Sequence, residues 1–163
     1  MSFAPFIPEG CYPVIAVAPR VNGAITSDFI SLKNVQMCWI HVVFANATAS
    51  TDAITIQRAT AVAPTGNVAI VNTVPIWAGI MTAANTKLIR DTDGIAYLGA
   101  DVTGNRVVVF QIDPASLGDG YDCLGFTIAD SGHATNYVSA TYWLLPRHRR
   151  APGSQDATEY VVD

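Results

Sequence analysis

A chain of 163 residues, half of them hydrophobic and only 13% charged, is long enough to bury one core and too apolar to be disordered. Its net charge of −4 comes from nine Lys and Arg against thirteen Asp and Glu, so it has no basic footprint for a phosphate backbone and no nucleic-acid partner is expected. No apolar run approaches the ~20 residues of a membrane span, and Met1–Pro8 lacks the basic start and apolar stretch of a signal peptide, so no membrane partner is expected either.

Residues 1–10 (MSFAPFIPEG) read as an N-terminal arm. Its prolines and glycine oppose regular structure, while Phe3, Phe6 and Ile7 are too apolar for a free tail, so the arm packs on its own domain or docks on a neighbour. Residues 12–18 (YPVIAVA) form a strand ending at Pro19, followed by a turn at Val21-Asn22-Gly23-Ala24. In residues 28–33, Ile30 and Leu32 share a face. Residues 36–45 (QMCWIHVVFA) are apolar at both even and odd positions, the pattern of a central strand covered on two sides.

The polar stretch Asn46–Asp52 reads as a turn, and 53–59 (AITIQRA) as a half-exposed strand. Residues 68–77 predict one strand, with Pro75 near its end marking a sheet edge. Residues 78–85 suit a short helix or a loop, and 86–90 and 95–98 are strands flanking the turn Asp91-Thr92-Asp93-Gly94. Three more strands follow at 107–112, 123–129 and 137–145. Within 123–129, Leu124, Phe126 and Ile128 point inward and Thr127 outward; in the last strand Tyr137, Trp143 and Leu145 oppose Val138, Tyr142 and Leu144. About eight short strands at turn spacings predict an all-β, antiparallel, jelly-roll-like β-sandwich over residues 11–148. Residues 149–163 then form a C-terminal tail with an apolar tip, Tyr160-Val161-Val162, of the kind that adds to another sheet.

The side chains able to do chemistry are scattered. Cys11, Cys38 and Cys123 are far apart, with no zinc-type spacing, and read as small buried side chains of a reducing compartment; one disulfide plus a free thiol is the alternative. Cys38 and His41 are three residues apart, so a strand sends them to opposite faces and no dyad forms. His133 sits in the turn Ser131-Gly132-His133-Ala134, and no G-x-S-x-G elbow or phosphate-binding glycine loop is present. No enzymatic activity and no cofactor are expected.

The loop Asp113, Asp119, Asp122 is a weak candidate for a hard cation, set against ordinary Asp-Pro and Asp-Gly turn chemistry, so no metal is assigned. Asn46-Ala47-Thr48 matches a glycosylation sequon that reads as chance. Trp39, Trp77 and Trp143 suit core or interface anchoring better than a sugar platform. The cluster Arg147, His148, Arg149, Arg150 is a solvated strand end or a contact for an acidic partner.

Three segments carry a resemblance. Asp28-Phe29-Ile30-Ser31-Leu32-Lys33-Asn34 resembles a "WVSLKNY" segment in small virion proteins of tailed bacteriophages, encoded near the major capsid protein. Residues 107–130, with acidic residues ahead of Gly120-Tyr121-Asp122-Cys123-Leu124, resemble their "FDAEDLDxxGFDCV" stretch. Tyr142-Trp143-Leu144-Leu145-Pro146-Arg147-His148 resembles their terminal "YILSGPRY", although this chain continues beyond it.

The resemblance implies a virion structural protein made in the host cytoplasm and placed on the capsid surface as a decoration or cement protein. Its partners would be the major capsid protein and further copies of itself, with a trimer matching capsid three-fold points. Expected contacts are Phe3, Phe6 and Ile7 in the arm, Arg147, Arg149 and Arg150 at the strand end, and Tyr160, Val161 and Val162 in the tail. The alternatives are a tail or head–tail connector component and a carbohydrate-binding β-sandwich module.

Overall fold

A computed structural model describes residues 10–63, 66–81 and 87–147. Among them, strands β1 (Tyr12–Val21), β2 (Ile25–Thr26), β3 (Ile30–Ser31), β4 (Val35–Ser50), β5 (Ala53–Ala59) and β6 (Val68–Ala69) make up the first half. The second half holds β7 (Ile76–Ile80), β8 (Ile89–Arg90), β9 (Ala96–Leu98), β10 (Val102–Ile112), β11 (Cys123–Ile128) and β12 (Asn136–Pro146), with a single 3₁₀ turn at Pro114–Leu117. Residues 1–9 and 148–163, which hold the expected arm contacts Phe3, Phe6 and Ile7 and the tail from residue 149, lie outside the described residues.

The strands form two antiparallel sheets packed face to face, a β-sandwich. One runs β1-β12-β4-β10 and continues into β7-β8. The other runs β2-β11-β5-β6, with β3 also pairing β11 and β9 also pairing β5. The chain crosses between sheets from β1 to β2, β3 to β4, β4 to β5, β6 to β7, β8 to β9, β9 to β10, β10 to β11 and β11 to β12, and it sets β1 beside β12. That is the connectivity of an eight-stranded jelly roll, extended beyond β10 by the β7-β8 pair.

Alternation along each strand builds the core. Cys38, Ile40, Val42 and Phe44 of β4, Val108, Phe110 and Ile112 of β10, and Tyr142 and Leu144 of β12 are fully buried. They meet Ile54 and Ile56 of β5 and Leu124 and Phe126 of β11 from the facing sheet. Polar ties join the layers as well. The Tyr142 hydroxyl donates to the Asp28 carbonyl (2.8 Å), and Ser27 Oγ lies 2.9 Å from that hydroxyl while accepting from the Phe126 N–H. Burial pushes the Tyr142 phenol well above its ordinary value, so it remains a donor.

Several boundaries differ from the sequence reading. β1 continues through Pro19 to Val21, because an edge strand needs no N–H on its outer side and the register slips there. β4 runs on through Asn46–Ser50, where a turn was expected, because its polar side chains pair inside the protein. The expected strand 68–77 is two: β6 pairs β5, and β7 pairs β10 in the other sheet. Buried Ile70 and Val74 anchor the crossing between them. β7 takes the chain to Ile80, so the start of the ambiguous 78–85 segment is strand. β8 and β9 flank the Asp91–Gly94 turn but belong to different sheets.

Candidate interaction surface

β4 lies between β12 and β10, the central place its composition predicts. Its odd-numbered face, however, is half-buried rather than covered. Strand pairing extends that face into rows. One row reads Ile15–Thr141–His41–Val109–Trp77–Arg90 across six strands. The next reads Pro13–Trp143–Trp39–Gln111, and on the other side of His41 lies Ser139–Val43–Val107–Gly79.

No carboxylate occurs in these rows. Their one formal charge is Arg90 at the margin, which lies 4.8 Å from the centre of the Trp77 ring and pairs with Asp93 at 2.7 Å. Ile15 is 67% exposed. Five strands at ~4.8 Å spacing and eight residues at ~3.4 Å make a plane of roughly 600 Å². A largely uncharged plane of that extent, rich in aromatic and aliphatic side chains, has the composition of a contact surface.

All three tryptophans occupy this face, with Trp39 and Trp143 directly opposed in neighbouring strands, so they lie at a surface and not in the core. His41 stands at its centre, and its cross-strand neighbours Val109 and Thr141 are uncharged, as are the flanking Val107, Gln111, Ser139 and Trp143. Burial holds the imidazole below its ordinary value. Unfolded chains therefore take up more protons at this position as pH falls below about 6.5, and its contribution to stability, complete above that pH, is lost on acidification. Replacing His41 by Gln is expected to flatten the fall in Tm between about pH 7 and pH 5, read by scanning fluorimetry of both proteins. An unaltered slope would show that other groups set it.

The thiols point away from this face. Cys11, Cys38 and Cys123 are buried and free. Burial raises all three, Cys123 to about 12 with further help from Asp122, so none forms a thiolate near neutral pH. Cys38 and His41 lie on opposite faces, as the strand spacing requires.

At the end of the sandwich where β1 begins and β12 ends, a groove of about 270 Å³ lies among Leu32, Lys33, the 3₁₀ turn, Tyr121, Asp122 and Arg147. The aspartates of the loop have separate roles. Asp113 caps the turn by accepting from the Ala115 N–H at 2.9 Å, Asp122 pairs with Lys33 at 3.0 Å, and Asp119 is exposed. Among the described residues no three His, Cys, Asp or Glu side chains are placed to share an ion. Arg147 is exposed and held by its Nε on the Val35 carbonyl at 3.1 Å. Arg149 and Arg150, like Phe3, Phe6, Ile7, Tyr160, Val161 and Val162, lie outside the described residues.

The sequon asparagine is unsuited to glycosylation: Asn46 is 3% exposed and its Nδ2 donates to both Asp52 oxygens. Two features were not read from the sequence in full, the openness of the outer plane and the buried pairing of Arg106 with Asp52 at 2.9 Å. Period-two phase carries the signal for the second, since Arg106 falls in step with Val108, Phe110 and Ile112. No protein-family model matches the chain, and no curated protein is similar to it at a meaningful level.

Proposed function

We propose that this chain is a virion structural protein of a tailed bacteriophage, a head decoration protein that binds the major capsid protein and stabilises the shell. The observation that carries the proposal is the uncharged outer plane of the first sheet, centred on Trp39, His41 and Val109, a face composed to be covered by protein within an assembly. Charge is depleted at the centre of interfaces and aromatic side chains are enriched there, which is the composition of these rows. The jelly-roll connectivity agrees with such a role, although lectin domains and cupins share it. The phage resemblance at Asp28–Asn34, 107–130 and 142–148 narrows the class.

Tyr12 pairs with Leu144, and Pro146 with Val35, so the N-terminal arm and the C-terminal tail both attach at one end of this sheet. Two terminal segments attached beside one plane suit a protein that grips neighbouring capsomers. Removing residues 1–10, or 151–163, is expected to weaken binding to phage heads about tenfold, a loss of ~1.4 kcal/mol, without lowering the Tm of the domain. Unchanged co-sedimentation of both truncated proteins with heads would sink the arm contacts.

Mass spectrometry and cryo-electron microscopy of purified virions test the main proposal. Many copies on the head support it. A few copies at the neck or tail point to the connector reading, and absence from particles overturns both. A glycan array separates the carbohydrate-binding reading, in which Trp39 and Trp143 would stack on sugar rings.

A further inference from the structure

We infer that the outer plane of the first sheet is the surface on which two copies of this chain pack against each other. The inference rests on the plane itself and does not depend on the virion role.

The edges of the sheet are poor places for self-association. β1 carries Pro13 and Pro19, and its pairing with β12 slips between Ile15 and Val17 and again between Val17 and Arg20. Prolines and bulges of this kind prevent another strand from adding. At the other margin β8 has two residues, and the guanidinium of one of them, Arg90, is engaged by Asp93 and Trp77. Association through this sheet is thereby directed to its face.

The chemistry of the face selects its occupant. A charged partner would leave its charges buried against Val43, Val107 and Val109 without a counterion, which is costly. A second copy presents an equally uncharged plane, with Trp39 and Trp143 as aromatic anchors and His41 and Thr141 as neutral hydrogen-bonding groups. Two such twisted sheets pack with their strands about 30° apart, and roughly 600 Å² from each approaches the ~800 Å² per partner of a stable interface. A two-fold axis through the plane makes the contact self-complementary.

Sedimentation equilibrium of the full chain tests this. The expected mass is about 35 kDa, twice the 17.3 kDa of one chain. Thr141→Arg places a charge at the centre of the plane, at a half-exposed polar position that tolerates it, and is expected to weaken the dimer about a hundredfold. Val109→Lys tests the same point from β10. Leu98→Arg, at a 74% exposed position on the other sheet, leaves the mass unchanged, and circular dichroism checks that each variant folds.

A wild-type chain that stays monomeric at about 100 µM overturns the inference. So does an oligomer that withstands both face substitutions, or one lost only when residues 1–10 are removed. A monomer whose binding to phage heads is abolished by Thr141→Arg would assign the plane to the capsid, overturning the dimer while leaving the virion role standing. A dimer absent from virions does the reverse.

Discussion

Replacing Arg106 by alanine is expected to destabilise the fold by about 3–5 kcal/mol, because it leaves a buried carboxylate without its partner. The Arg106 side chain is 2% exposed and that of Asp52 is fully buried. Arg106 Nη1 donates to Asp52 Oδ2 at 2.9 Å, and Nη2 to the Ala100 carbonyl at 2.7 Å. Asn46 on β4 donates to both oxygens of the same carboxylate, at 3.1 and 2.9 Å. Burial pushes the Asp52 carboxyl above the usual carboxylate range, against the opposing pull of Asn46, Arg106 and Ser50.

The backbone is shaped around this pair. A β-carbon at Gly99 would overlap the Arg106 guanidinium, so a larger residue there would push that group away from Asp52. Urea unfolding of wild type and Arg106→Ala measures the loss. The double variant Arg106→Met, Asp52→Leu is expected to recover most of it, since two apolar side chains need no counter-charge. A double variant as unstable as the single one would place the cost in packing instead of in the stranded charge.

Phe126→Ala is expected to cost a similar ~3–5 kcal/mol by a different route, the cavity left when a fully buried ring is removed. Phe126 sits on β11 between the sheets and meets Tyr142 edge to face, with ring centroids 5.8 Å apart. Its loss takes away that contact and the apolar wall beside the Ser27–Tyr142 hydrogen bond. For a chain of this length the Tm is expected to fall by about 6–20 °C, measured by scanning calorimetry. A fall of only a degree or two would mean that the neighbouring side chains collapse into the space.

Most of the framework was legible from period-two alternation. The inward positions Leu124, Phe126 and Ile128, and the opposed faces of the last strand, follow the residues directly. So does the central place of β4 in the sheet. Polar composition was the misleading signal at Asn46–Asp52. Asp52 is buried against Arg106, 54 residues later, and Ser50 against Asn136, 86 residues later, while Asn46 donates to Asp52. A sequence read locally cannot supply partners at that distance, so a buried polar cluster looks like a turn.

The candidate surface was half legible for a related reason. An apolar strand on both faces calls for cover on both sides, and the sequence does not say whether the second cover belongs to the same chain. The structure places the even face of β4 in the core and the odd face, with Trp39 and His41, at the surface. The Asp113, Asp119, Asp122 loop shows the converse, in which turn residues cap and pair locally.

The pairing of β1 with β12, and of β12 with β4, also governs when this protein becomes whole. Strand β4, ending at Ser50, leaves the ribosome well ahead of its neighbour β12, which starts at Asn136. At ordinary synthesis rates of ~5–20 residues per second, the apolar edge of β4 waits roughly 5–20 s for that neighbour. The first sheet therefore closes only once β12 has emerged, and until then an apolar strand edge stays open to wrong partners.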